Sequence, residues 1–165
     1  MTTNQPTNEK NVSLRHTLAT LAYRAAKALR NAPPGFLEFR PADGSRSAGE
    51  ILAHLADCEI VTGWRIRQIL GAPGTPIQPF DQDAWAASGH YEKRDARKSL
   101  EQFRVAREGN LALLKSLTPE QWNHHGMHAE RGVETIERIV SMMAGHDINH
   151  TAQVERIVAA KKGKR

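Results

Sequence analysis

Three observations predict an all-α fold, a four-helix bundle with a long crossover between its second and third helices. Four stretches of the chain carry apolar residues at steps of three and four, the spacing of one helix face. Hydrophobic residues make up 39% of the chain but aromatics only 5%, which favours Ala/Leu/Ile-rich helices over an aromatic-rich sandwich. No apolar/polar alternation runs long enough to announce a strand. At 165 residues the chain suits one domain with a real core.

Residues 1–11 are polar and read as a disordered lead-in, residues 12–160 as the bundle, and residues 161–165 as a basic tail. The first helix is expected over Ser13–Arg30, with Leu14, Leu18, Leu21, Ala25 and Ala28 on one face, and it stops at Ala32-Pro33-Pro34-Gly35. After a loop over 36–46, Ser47 and Glu50 form a capping-box pair that opens a second helix over Ala48–Leu70. Its stripe is Ile51, Leu55, Thr62, Ile66 and Ile69, and Gly71-Ala-Pro-Gly74 ends it. The stretch Thr75–Arg94 is long for a connection inside a compact domain and reads as a crossover. A third helix follows over Asp95–Leu117 through Leu100, Phe103, Leu111 and Leu114. Thr118-Pro-Glu-Gln121 is a second capping box and opens one helical turn bearing Trp122. Residues 123–132 suit a loop or a short hairpin. The fourth helix spans Val133–Val158. Short links between helices one and two and between three and four permit antiparallel neighbours. The long middle link lets two and three run parallel, giving an up-down-down-up order.

Charge excludes some functions. The formal net charge is +5, but Lys161, Lys162, Lys164 and Arg165 supply four of those charges at the very end. A basic tail gives only non-specific attraction, so no specific nucleic-acid partner is expected. No stretch approaches the roughly 18 apolar residues of a membrane span. A polar N-terminus without a signal-peptide core and a single cysteine, Cys58, point to the cytoplasm.

The chemistry lies in the fourth helix. Ile136, Ile139, Met143, Val154 and Ile157 form its apolar stripe, and His146 and His150 fall in the same sector. Side chains four apart have Cβ atoms about 5–6 Å apart, so two imidazoles can converge on one ion. Polar rings in an apolar seam need partners, and a metal is one. His54, at the edge of the second helix's stripe, is the natural third ligand. Three imidazoles and a water describe an open, catalytic kind of metal site.

At these residues the chain resembles the DinB-like (DinB/YfiT) superfamily. The likeness rests on His54-Leu-Ala-Asp-Cys-Glu59, on Gln78-Pro-Phe-Asp-Gln-Asp-Ala-Trp85 and on His146-Asp-Ile-Asn-His-Thr-Ala-Gln153, in that order over roughly residues 12–160. It implies a four-helix bundle, often a homodimer, that holds a divalent metal (zinc, nickel or manganese) through His54, His146 and His150. It implies a metalloenzyme acting on a small-molecule substrate, either a hydrolase that activates water or a transferase that uses a low-molecular-weight thiol.

Each auxiliary residue has two readings. Asp147 serves a ligand imidazole or acts as a base, or else forms an interior salt bridge with an arginine. Glu59 orients a ligand or acts as a base, or else pairs with Arg107. Gln153 hydrogen-bonds a substrate or the metal's water, or else is an exposed glutamine. Cys58 reads as a small buried hydrophobe rather than a ligand. Trp85 locks the crossover to the bundle, or walls the metal cavity. His124-His-Gly-Met-His128 reads as a solvated cluster. The rival to an enzyme is a non-catalytic dimeric bundle with structural histidines, in which Ile148, off the stripe, meets a second subunit.

Overall fold

The computed structural model describes residues 5–30, 32–41 and 44–163. Four long helices, α1 (Gln5–Arg30), α2 (Ala48–Gly71), α4 (Ala96–Ser116) and α6 (Ile136–Lys162), form the bundle. Between them lie strand β1 (Pro76–Ile77), helix α3 (Gln82–Ser88), a 3-10 turn at Tyr91–Lys93, the single turn α5 (Pro119–Trp122) and strands β2 (His125–His128) and β3 (Gly132–Thr135).

Side-chain pairs fix the helix directions. Lys10 pairs with Glu137 and Arg24 with Glu155, so α1 and α6 run parallel. Glu59 meets Arg107, and Gly63 abuts Asn110, so α2 and α4 run parallel. Arg15 donates to Leu114 O while Arg107 donates to Leu18 O, so α1 and α4 are antiparallel. The order is up-down-down-up, as the long middle link predicts. One expectation is corrected: α1 packs between α4 and α6, and α2 packs between the same two helices on the other side. Helices α1 and α2 are therefore antiparallel across one diagonal of the bundle rather than neighbours, and α4 and α6 likewise across the other. The diagonal gives α2 two long neighbours, and every residue from Ser47 to Asp57 is buried.

Local signals explain the boundaries. The Ser47–Glu50 box closes on α2 and the Thr118–Gln121 box on α5. The Asp95 side chain accepts from Arg97 N and Lys98 N and so caps α4. The first helix begins earlier than predicted. Within the expected disordered lead-in, residues 5–11 continue α1, because Asn11 is buried and Lys10 reaches Glu137. Residues 1–4, 164 and 165, and the burial of Leu21, Ala25 and Ala28, lie outside the description. The fourth helix starts at Ile136, not Val133, because Thr135 caps it and Gly132–Thr135 is a strand.

The alternative of a short hairpin after Trp122 is the one present, shifted to His125–Thr135, and periodicity does not announce the sheet it joins. Strand β2 pairs parallel with β1 and antiparallel with β3. The strands are two to four residues long, too short for a period-2 signal. Gly126 is required there, since a Cβ would lie 2.6 Å from Ile77 Cδ1. Ile77 and Trp122 join the apolar cluster at that end of the bundle with Ile66, Ile69, Leu114, Ile136 and Ile139. A second apolar cluster, Phe36, Ile51, Leu55, Phe103, Val154 and Ile157, fills the other end.

The crossover is anchored by polar contacts. Tyr91 OH donates to Asp57 Oδ2 at 2.8 Å, Arg94 donates to both Asp57 oxygens at 3.0 Å, and Arg65 donates to Gln78 O at 2.7 Å. Trp85, expected to lock the linker, is instead 43% exposed and packs edge-on against Phe80. No helix among the described residues is long and apolar enough to cross a membrane.

Candidate metal centre

Between the two apolar clusters lies a polar layer, built by residues of α2, α4 and α6 that face inward at one level. Its first part is an ion-pair triad. Arg107 Nη2 donates to Glu59 Oε1 at 2.5 Å and to Asp147 Oδ2 at 2.6 Å, and Nη1 donates to Leu18 O at 3.0 Å. One side chain on α4 thus ties together all three other long helices. Asn110 Nδ2 donates to Glu59 Oε2 at 3.0 Å. Glu59, Arg107 and Asp147 are all buried. Burial lifts the Glu59 carboxyl above its ordinary range, against the pull of Arg107 and Asn110. The interior salt bridges foreseen for Asp147 and Glu59 are both present, and they share one arginine. Two carboxylates thus share one guanidinium, and the raised Glu59 carboxyl reflects the cost of holding both charged there.

The second part is the histidine cluster. His54 on α2 and His146 and His150 on α6 bring their rings together, with centroids 5.0, 4.8 and 4.4 Å apart. His54 Nε2 lies 2.9 Å from His146 Nε2. The outer nitrogens have their own partners: His150 Nδ1 lies 3.0 Å from Gln153 Oε1, and His146 Nδ1 lies 3.4 Å from Asp147 Oδ1. A proton on each Nδ1 satisfies those oxygens and leaves the Nε2 lone pairs for the interior. His54 is fully buried, and burial together with the neighbouring imidazoles lowers its pKa to about 3. Burial and His146 lower His150 as well.

Cys58, one turn after His54, sits closer to this chemistry than a buried hydrophobe would. Its Sγ is 3.6 Å from His54 Nε2 and 4.0 Å from His146 Nε2. Ligand atoms of His54, Cys58 and His146 all lie within 4.8 Å of one another. The thiol is pushed up to about 12 by burial, then by Asp147 and Glu59. The spacing His54–Cys58 is the same four-residue step that revealed His146–His150, so the sequence held this signal.

The donor set fits a divalent cation. Neutral imidazole nitrogens face one another, where without a cation at least one must carry a proton. The Asp147 carboxylate of the adjoining triad favours positive charge at His54 and His150 in this low-dielectric layer. Among the sequence-predicted residues, His54, His146 and His150 come together directly, Gln153 and Asp147 stand behind two of the rings, and Glu59 reaches the cluster only through Arg107.

A cleft of about 190 Å³ opens over Cys58 and His146. Its wall includes Arg65 and Arg131, which no periodicity marks. Arg131 forks onto the buried carboxylate of Glu134 at 2.6 and 3.1 Å. His128, expected to be solvated, is 3% exposed in β2, and its Nε2 has no partner among the described residues. The hairpin folds it inward.

Residues 17–154 match the model of the DinB superfamily, and the chain belongs to that family. A Bacillus subtilis strain 168 protein named "Putative metal-dependent hydrolase YfiT" is 24% identical over 116 residues, which is 70% of this chain and 65% of that relative's length. The solved structure described as "YfiT from Bacillus subtilis is a probable metal-dependent hydrolase with an unusual four-helix bundle topology" matches with a TM-score of 0.84 at 22% identity. That match covers 93% of this chain and 89% of the other, and it carries the fold.

Proposed function

We propose that the protein is a metal-dependent hydrolase that holds one divalent cation through His54, His146 and His150. It acts on a small molecule admitted by the cleft beside His146. One observation carries this reading. Three imidazoles from two antiparallel helices converge in a buried layer, and Gln153 and Asp147 hold the outer nitrogens of two of them. When bound, a divalent cation there lowers the pKa of a water and polarises an electrophilic centre. The names of the relatives favour water over a low-molecular-weight thiol as the nucleophile.

The chain's own residues have separable tasks in this scheme. Gln153 fixes the His150 ring. Asp147 holds Arg107 with one oxygen and approaches His146 with the other. Glu59 is a positioning residue that acts through Arg107. Cys58 borders the centre on the cleft side, with its thiol held protonated by burial.

Metal analysis tests the proposal. The protein, purified without chelator and offered zinc, nickel or manganese in turn, is expected to retain one ion per chain. His54→Ala, His146→Ala and His150→Ala each lose it, and Cys58→Ser keeps it. A wild type that retains no stoichiometric metal overturns the reading. A Cys58→Ser variant that loses metal while His150→Ala keeps it overturns the three-histidine ligand set.

A further inference from the structure

The cleft over the histidine cluster carries two arginines that the metal chemistry leaves unused. Arg65 and Arg131 share it with Cys58 and His146 on the polar side and with Phe80 and Met142 on the apolar side. The two cations are differently satisfied. Arg131 is gripped by the buried Glu134 through two hydrogen bonds. Arg65 is half-buried, and its one described hydrogen bond runs to the backbone oxygen of Gln78. No carboxylate among the described residues pairs with it. A guanidinium offers five donors, so most of those on Arg65 remain for another acceptor. Among the described residues the wall carries two guanidinium groups with the one paired carboxylate, Glu134, on Arg131, which leaves a positive charge over at Arg65. Burial and the neighbouring Arg131 both act against the charged form of Arg65. A cation held in such a place is stabilised by an anion.

We propose that Arg65 anchors an oxyanion, a carboxylate or phosphate group, on a small and partly apolar substrate whose reacting end lies at His146 and Cys58. The fork of a guanidinium matches both groups with paired hydrogen bonds. A volume of about 190 Å³ lies below the roughly 300 Å³ at which drug-sized ligands begin. That suits a small acid whose apolar part rests on Phe80 and Met142. Arg131, already engaged by Glu134, supplies long-range attraction rather than the grip. The inference rests on the proposed metal site only for where the reacting end lies.

The test uses metal-free protein, so that an anion bound directly to a metal cannot imitate the result. Inorganic phosphate and butyrate are titrated separately while the arginine Nε–Hε signals are followed by NMR. Saturable movement of the Arg65 signal with either anion is expected, and the anion that produces it identifies the headgroup class. Arg65→Gln is expected to weaken that affinity at least about tenfold, which is about 1.4 kcal/mol. Arg65→Lys keeps the charge and loses less. The variants' melting temperatures should fall only slightly, by the loss of the single Arg65 bond to the Gln78 backbone, so weakened anion binding is read on folded protein. If neither anion moves the Arg65 signal, or if Arg65→Gln binds as tightly as the wild type, the proposal is overturned. Metal retention measured alongside separates the two readings: intact anion binding in a chain that retains no metal overturns the hydrolase reading alone.

Discussion

The Arg107 triad and the histidine cluster occupy the same buried layer, one beside the other, and they are satisfied in opposite ways. The triad is closed on itself but for Arg107 Nε, which has no partner among the described residues. Arg107 is matched by Glu59, Asp147 and the Leu18 carbonyl, and Asn110 completes Glu59. The histidine cluster points its basic nitrogens at one another and at a thiol held in its neutral form. A buried polar group that only held the fold together would be expected to look like the triad. The histidines look like a site completed from outside. Asp147 belongs to both, with one oxygen on Arg107 and the other toward His146.

The largest expected effect tests the closed half. Arg107→Ala leaves two carboxylates buried with no cation, which costs about 3–5 kcal/mol. For a chain of this size that is a fall of roughly 10 °C in melting temperature. Chemical denaturation of the metal-free protein measures it. A loss under 1 kcal/mol would mean that the layer admits water freely and that the triad is not what joins the helices.

The second prediction tests the open half. At a hundredfold excess over its dissociation constant, a metal that binds only the folded chain adds about 2.7 kcal/mol of stability. Chelator is therefore expected to lower the melting temperature of the wild type and to leave that of His146→Ala unchanged. An equal response in both would place the metal elsewhere.

These two halves were not equally legible in the sequence. His146, His150 and His54 stood out because polar residues interrupted apolar stripes at helical spacing, and the helices themselves were fixed by Ser47, Thr118 and the apolar period. The Glu59–Arg107 pair was visible for the same reason, as charges at stripe positions. Sequence spacing could not tell whether Asp147 faced the histidines or the arginine, because each of its oxygens faces a different partner, and that follows only from how Arg107 reaches across the bundle from α4 to α6. Cys58 stood out less, since a thiol in an apolar stripe is normally just small and buried. Arg65 and Arg131 carried no signal. They meet only after the crossover and the hairpin fold over the end of the bundle, and strands of two to four residues have no period to read.

Acid offers a third way to divide the layer. His54 titrates near 6.5 when unfolded and at about 3 in the folded, metal-free chain, chiefly because of burial. Between those values the unfolded state binds a proton that the folded state refuses. The stability tied to His54 is therefore complete above about pH 6.5 and is lost as the pH falls toward 3. Denaturation of the metal-free protein across that window should show the wild type losing stability faster than His54→Ala. Identical slopes would show that His54 takes up its proton without unfolding, which a fully buried imidazole facing His146 should resist.

The smallest effect is the sharpest divider, because it touches one half only. Gln153 accepts from His150 Nδ1 and has no described bond to the triad. Removing such a partner typically costs 10–100-fold in metal affinity, and a neutral amide belongs at the lower end. Gln153→Ala should weaken binding about tenfold in a chelator competition and leave the metal-free denaturation curve within about 0.5 kcal/mol of wild type. Asp147→Asn makes the contrast. It weakens the grip on Arg107 and the support of His146 together, so it should lower metal affinity and metal-free stability at once. If Gln153→Ala also destabilises the metal-free chain by several kcal/mol, the histidines are packed into the fold as firmly as Arg107, and the division of this layer into a closed half and an open half fails.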